Sequence, residues 1–432
     1  MKPKSGQSFK QGSQPRTVAL HNTTNTLDDS LNVAQGIAKH YGITRVADIT
    51  GFSQVRLPVW VAFRPNAKCL SQSAGKGLCS KGAKISALME GVEVAVSENV
   101  NWSNGEMATL TEALELREKK DGMDTIQSQF IDPSEYPLQP CIPKHQKIPW
   151  LECQCLKTGS LWKIPGRMLS LDFTLADQSI QRPREFRTTS NGLASGRSFE
   201  EACVSGLLEV IERHSVTTTS ITSRQLQRIE VDHSCPAALS FVLEELHSND
   251  VRVEIYDVTV IDGLHAIEAF VWSPSGRVPA AHGFGCSLSL EVAILRAVLE
   301  ANQASTILMS GSRDDLFKHP YLVTADIDKV AESIQRKTRS TRRVEASEFC
   351  HNDYTPNEEL QQIICLTTRY LDREILAFQY TPSDYPISVC KVFVPTLEGY
   401  LTPGYRPQRL EKTVATNNEM LPGLQLAAGG RM

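Results

Sequence analysis

Three mostly apolar segments of this chain carry acidic residues at helical spacing, and any fold it adopts has to place those acids where they can be tolerated. The segments are Ser86-Ala-Leu-Met-Glu90-Gly-Val-Glu93, Glu201-Ala-Cys-Val-Ser205-Gly-Leu-Leu-Glu209-Val-Ile-Glu212-Arg213, and Arg296-Ala-Val-Leu-Glu300. Residues three, four, seven and eight apart share one face of an α-helix, at roughly 100° per residue. Ser86, Glu90 and Glu93 therefore form one stripe, and Glu201, Ser205, Glu209 and Glu212 a second. Arg296, Glu300 and Gln303 form a third. The positions between are mostly Ala, Val, Leu, Ile, Met and Cys, which predicts helices buried on nearly every side. A buried carboxylate without a partner is very costly. These acids, with Arg213 and Arg296 interleaved, call for further positive charge, and the pattern points to a cation-rich ligand.

At 432 residues the chain can hold one large or two ordinary domains. A net charge of −4 gives no reason to expect nucleic acid or an anionic membrane as partner. No apolar run approaches the roughly 18 residues of a membrane span. Residues 1–20 lack the apolar stretch of a secretory signal, so a cytoplasmic location is expected. The eleven cysteines include no C-x-x-C pair, which favours reduced thiols over a zinc site. Cys153 and Cys155 are expected on one face of a strand.

The expected architecture is mixed α/β, with strand-rich segments alternating three times with acidic helices. Residues 1–25 read as a flexible tail, 26–403 as one folded domain with 101–146 as an insertion, and 404–432 as a loosely structured tail. A helix is predicted over Leu27–His40, with strands at Ile43–Ile49 and Val55–Phe63. Gly75-Lys76-Gly77 is read as opening the first acidic helix, about 82–98. Within 101–146 a helix is expected at Met107–Lys119. Strands follow at Trp150–Leu156 and Leu161–Ile164. Ser198 is a suitable N-cap for the second acidic helix, about 199–218, with Glu201 at the capping-box position. Further on come a helix at Pro236–His247, a strand at Val251–Val260, a pair of strands spanning Ala266–Ala281, and the third acidic helix, about 288–309. The basic run from Arg336 to Arg343 reads as a solvated loop. A helix at Pro356–Leu371 and strands at Ile375–Tyr380 and Ile387–Val394 complete the pattern.

The acids suit a nucleotide with magnesium. Mg²⁺ takes oxygen ligands and commonly bridges carboxylates to phosphates, so Glu90, Glu93, Glu201, Glu209, Glu212 and Glu300 are its candidate ligands. Arg213 and Arg296 can grip phosphate with planar guanidinium forks. Ser86, Asn191 and Lys76 offer further contacts, Asn191 and Lys76 from glycine-containing turns just ahead of two helices, where backbone N–H groups favour anions. No G-x-x-x-x-G-K-[ST] loop occurs, so a conventional P-loop protein or kinase is not supported. A solvated face is the bland explanation for any single Glu-x-x-Glu, and three such stripes together argue against it. Glu291 falls on the far side of its helix and is expected to be exposed. His214 reads as structural, and Arg313-Asp314-Asp315 as a helix-end charge cluster.

Ser86-x-x-x-Glu90-x-x-Glu93, the Ser190-Asn191-Gly192-Leu-Ala-x-Gly196 turn leading to Glu209-Val-Ile-Glu212-Arg213, and Arg296-x-x-x-Glu300 together resemble the ordered signature of the YcaO family, over roughly residues 40–400. The resemblance implies an ATP and Mg²⁺ site lined by Ser86, Glu90, Glu93, Glu201, Glu209, Glu212, Arg213, Arg296 and Glu300, and ATP-dependent activation of a peptide backbone amide. It also implies a peptide or protein substrate and a separate partner protein, with room for a homodimer. Azoline-forming members often end in Pro-x-Pro-x-Pro, whereas this chain ends Leu421-Pro422-Gly-Leu-Gln-Leu-Ala-Ala-Gly-Gly-Arg431-Met432. That difference favours thioamide formation with a TfuA-type companion. The alternatives are azoline formation with a leader-peptide-binding partner, or a nucleotide-binding accessory role. No residue stands out as a general base.

Overall fold

The three acidic segments fold as helices, each directly after a strand that is pressed against it. The computed structural model describes residues 27–118, 129–136, 144–174, 188–232, 235–311, 327–349 and 352–400. Strand β3 (Gln72–Lys76) precedes helix α2 (Ser80–Ser97), β8 (Leu193–Gly196) precedes α4 (Phe199–Ile221), and β12 (Ala281–Ser287) precedes α6 (Leu290–Ser310). The links between strand and helix are only two or three residues long. Each ends in a side-chain N-cap, with Cys79, Ser198 and Ser289 accepting from the backbone N–H three residues on.

Strand–helix contact in these pairs is at backbone distance. A Cβ added at Gly283 would lie 2.2 Å from both the Ala297 carbonyl oxygen and the Ala301 nitrogen. One added at Gly75 would lie 2.1 Å from the Ala87 nitrogen. Only glycine permits that approach.

The strands form three sheets. The first is β1 (Arg45–Asp48), β2 (Val59–Phe63) and β3 in that order, all antiparallel. The second comprises β5 (Gln129–Phe130), β7 (Leu161–Pro165), β6 (Ile148–Cys155), β14 (Leu376–Gln379), β15 (Ser388–Phe393) and β8, with β4 (Glu106–Ala108) also pairing with β6. The third runs β12, β11 (His265–Trp272), β10 (Arg252–Asp257), β9 (Leu226–Glu230) and β13 (Thr338–Arg343), the last pair parallel. The other helices are α1 (Leu27–His40), α3 (Leu110–Glu118), α5 (Ala237–Ser248), α7 (Ile327–Lys337) and α8 (Pro356–Tyr370).

Sheets and acidic helices alternate around a closed ring. Helix α2 packs on β2 and β3 of the first sheet and reaches β8 of the second. Helix α4 packs on β8 and β15 of the second and on β11 and β12 of the third. Helix α6 packs on β11 and β12 of the third and returns to β3 of the first. The apolar core follows this ring, with one cluster around α5, α6 and the third sheet, another around α4, α8 and β15, and a third around α1 and α2. Among the described residues no helix is long and apolar enough to cross a membrane.

Several local expectations are corrected. Gly75 and Lys76 end a strand and do not open the helix. The basic run is not a loop, because Arg336 and Lys337 end α7 and Arg339, Arg342 and Arg343 lie on β13. The second of the pair of strands expected over Ala266–Ala281 begins at Ala281. The described parts of 101–146 add β4, α3 and β5, and both strands join the second sheet. Cys153 and Cys155 do share a buried face of β6. Arg313, Asp314, Asp315 and both chain ends lie outside the described residues.

Candidate functional site

Through their middle turns the acidic helices are buried except along the line that carries their acids. On α4 the partly exposed positions recur at Glu201, Ser205, Glu209 and Arg213. On α6 they are Val292, Arg296 and Glu300, and on the middle of α2 they are Ser86, Glu90 and Glu93. Burial differs among the acids. Glu212 is 4% exposed, Glu93, Glu201, Glu209 and Glu300 are intermediate, and Glu90 is exposed. The expectation that all six are buried is thus corrected for Glu90, where α2 turns its stripe toward solvent. Glu291 is corrected in the opposite sense. It is buried, because the far side of α6 is covered by the core around α5 and does not face water.

At each junction of the ring, a stripe residue meets the strand that leads into the next helix. Ser195 of β8 donates its backbone N–H (2.9 Å) and its hydroxyl (2.6 Å) to Glu93 Oε1 on α2. The Arg213 guanidinium of α4 lies 5.8 Å from the ring centre of Phe284 on β12, and 5.2 Å from that of Tyr400. Lys76 of β3 places Nζ 2.6 Å from Glu300 Oε2 on α6. The acids and cations of distant segments therefore share one region. Arg213 also lies 3.6 Å from Glu212 and 3.8 Å from Glu209.

The electrostatics show a shortage of positive charge. Burial pushes Glu93 up to about 8, with Glu90 and Glu209 adding to the rise and Ser195 opposing it. Burial raises Glu212 to about 7 against the pull of Arg213, with Glu300 reinforcing the rise. Glu209 is raised by burial too, although Arg213, the Gly192 N–H and Arg296 oppose the shift. Burial works on Glu300 in the same way, but Lys76 first and Arg213 next overcome it, and its carboxyl is held low. Burial disfavours the charge on Arg213, yet Glu212, Glu209 and Glu300 raise its pKa further.

Glu201 has a local task, since its Oε2 accepts from the Arg197 N–H at 2.8 Å while Ser198 caps the Glu201 N–H. The reciprocal half of the expected capping box thus lands one residue earlier. Asn191 sits in the turn whose Gly192 N–H meets Glu209, and its Oδ1 is buried without a hydrogen-bond partner. Among the described residues no three acidic, His or Cys side chains gather closely enough to hold a metal ion alone. Mg²⁺ shared with phosphates needs only one or two protein carboxylates. Clustered acids leaning toward their neutral forms, together with an orphaned amide oxygen, fit an Mg²⁺–nucleotide.

Sequence reasoning passed over four contributors. Ser195 stands at the unspecified position of the Asn191–Gly196 turn, while Phe284 and Tyr400 are single residues in unrelated segments, without a motif to mark them. Lys391 carried a signal, being a lysine inside the apolar run Ile387–Val394. It is 1% exposed, lies on β15, and donates to the carbonyls of Met168 (2.9 Å) and Thr189 (2.5 Å), fixing the turn that holds Asn191. Burial lowers its pKa to about 7, and Glu209 opposes that fall. His214 is structural as expected, accepting the Glu398 N–H on Nδ1 at 2.9 Å, with Nε2 3.0 Å from the Tyr370 hydroxyl.

A sequence model of the family described as YcaO cyclodehydratase, ATP- and Mg²⁺-binding, matches residues 74–398. An uncharacterized protein in the tfuA 3′ region of Rhizobium leguminosarum bv. trifolii is 28% identical over 386 residues, 83% of this chain and 84% of that one. The structure of YcaO from Methanopyrus kandleri bound with AMPPCP and Mg²⁺ is similar at TM-score 0.67 and 19% identity, covering 88% of this chain and 96% of the other. A heterocyclase in complex with substrate and cofactor gives TM-score 0.69 at 19% identity, over 87% of this chain and 53% of that one. These two likenesses establish the fold, and it is the mixed α/β arrangement expected from sequence.

Proposed function

The chain belongs to the YcaO family, whose sequence model spans residues 74–398, and from that premise we propose that it uses ATP to activate a backbone amide of a peptide or protein. The observation that carries this reading is the convergence of three acidic stripes in a region with too little positive charge of its own. Glu90, Glu93, Glu201, Glu209, Glu212 and Glu300 are the proposed carboxylates around nucleotide-bound Mg²⁺. Arg213, Arg296 and Lys76 are the proposed phosphate contacts, with Ser86 and Asn191 as neutral ones. Bound Mg²⁺ supplies charge neutralisation between carboxylates and phosphates.

An amide oxygen is a poor leaving group, and phosphorylation makes its expulsion feasible. A nucleophile adds to the amide carbon, the resulting oxyanion takes the γ-phosphoryl group of ATP, and phosphate then departs. Arginines aimed at the transferring group stabilise the charge that develops there. Arg213 is suited to this, because Phe284 and Tyr400 flank its guanidinium while Glu209 and Glu212 lie beside it.

The proposed product is a thioamide, made from an external sulfur donor with a TfuA-type partner in the cytoplasm. Its support is the similarity to a protein in a tfuA 3′ region along most of both chains. The cyclodehydratase description of the family favours a second reading, azoline formation from a neighbouring Cys, Ser or Thr. The test has two stages. Saturating Mg²⁺–AMPPCP is expected to raise the melting temperature, because a ligand that binds the native state stabilises it by mass action. An unchanged melting curve would remove the nucleotide reading. Mass spectrometry of peptides from cells expressing the chain with its genomic neighbours then separates the products. The shared activation step ends in a gain of about 16 Da for a thioamide or a loss of about 18 Da for an azoline.

A further inference from the structure

The Lys76–Glu300 pair closes the ring of sheets and helices. The other two junctions use a neutral donor pair at Ser195 and an aromatic ring at Phe284. The third alone is a salt bridge, at 2.6 Å, with side chains 18% and 17% exposed. The backbone of Lys76 cannot move far, because the glycines on either side of it lie against α2. A Cβ at Gly75 would meet Ala87 nitrogen at 2.1 Å, and one at Gly77 would meet Ala83 nitrogen at 2.8 Å. Its side chain is different, being a flexible four-carbon stem ending in a compact point charge that can exchange one anion for another.

We propose that Lys76 is a resident counter-ion, holding beside Glu300 the place that a divalent cation takes when nucleotide arrives. The inference rests on the nucleotide reading and adds to it an order of events. Without nucleotide, the ammonium neutralises Glu300 and a metal ion gains little by displacing it. When a triphosphate enters, its oxygens offer Lys76 an alternative anion, and Glu300 is released to the metal. Nucleotide and metal then bind cooperatively through an exchange of partners at one side chain. Such coupling is a free energy shared between two ligands and is measurable without turnover. Arg213 and Arg296 differ from Lys76 in this respect. They come from the acidic helices themselves, whereas Lys76 reaches Glu300 from the strand of a different sheet.

The test compares wild type, Lys76→Met and Lys76→Arg by thermal unfolding with Mg²⁺ alone and with Mg²⁺–AMPPCP. Lys76→Met keeps the length of the side chain and removes its charge. It is expected to melt lower than wild type without ligand and to be stabilised by Mg²⁺ alone at about tenfold lower concentration, within the usual range of coupling between sites. Lys76→Arg, which keeps the charge, is expected to follow wild type with Mg²⁺ alone. Equal Mg²⁺ midpoints in wild type and Lys76→Met would overturn the proposal, as would Lys76→Arg behaving like Lys76→Met. Should Lys76→Met fail to fold, Lys76→Gln is measured by the same criterion. If Mg²⁺–AMPPCP leaves wild type unchanged, the nucleotide reading fails instead, so the two failures are distinguishable.

Discussion

Glu212 brings together the opposing demands on this site. It is 4% exposed, it neighbours Arg213 at 3.6 Å, and burial nevertheless lifts its pKa to about 7. A carboxylate kept there against its own solvation is a cost to the folded chain unless something cationic arrives. Glu212→Gln keeps the shape and removes the charge. It is therefore expected to leave unliganded stability within about 1 kcal/mol of wild type in denaturant unfolding. Affinity for Mg²⁺–AMPPCP is expected to fall by about tenfold or more in calorimetric titration, the scale seen when a metal site loses supporting charge. Wild-type affinity in this variant would take Glu212 out of the site. Glu90 differs in being exposed, so its substitution tests binding with still less effect on folding.

At the scale of elements, the glycine strands determine how close the acidic helices come to one another. Gly283 and Gly285 of β12 bring the strand backbone against α6, and Gly75 brings β3 against α2. Gly283→Val would drive a side chain into Ala297 and Ala301, with no flexible neighbour to give way. A destabilisation of about 3 kcal/mol or more is expected, the upper range for overpacking, checked by denaturant unfolding or loss of soluble protein. The same glycines explain which parts of the fold the sequence disclosed. Helices α1, α4, α6 and α8 were legible to within a few residues from their apolar periodicity, and α4, α6 and α8 also carry Ser or Thr caps. Strand β3 was not, because the residues it turns toward α2 are Ser73 and Gly75, and close packing has removed the apolar alternation that announces a strand. Strand β12, with Gly283 and Gly285 against α6, was placed too early for the same reason. The three stripes could be read from spacing on single helices, but their convergence depends on the order of three sheets, which no local pattern encodes. Ser195, Phe284 and Tyr400 gain meaning only from that convergence.

The ring as a whole stores its shortage of positive charge as bound protons. Glu212 titrates near 7 and Glu93 near 8 in the folded chain, against an ordinary value of 4.5, and burial is the leading cause for both. Between pH 4.5 and about 8 the folded protein thus holds protons that the unfolded chain has released. Stability falls with rising pH wherever the native state binds more protons. The contribution of these two groups is therefore fully present below about pH 4.5 and is lost as pH rises through 7 and 8. A ligand that brings positive charge to the carboxylates has the opposite dependence, because metal binding displaces protons. Unliganded wild type is expected to melt progressively lower from pH 6 to 8.5, while the increment from Mg²⁺–AMPPCP grows over the same interval. Glu212→Gln should flatten the lower part of the unliganded curve, and Glu93→Gln the upper part. Melting curves recorded across that range check both, and an increment that shrank with rising pH would mean that the ligand is not meeting these carboxylates. Such a result would place the nucleotide away from the junction where α2, α4 and α6 face one another.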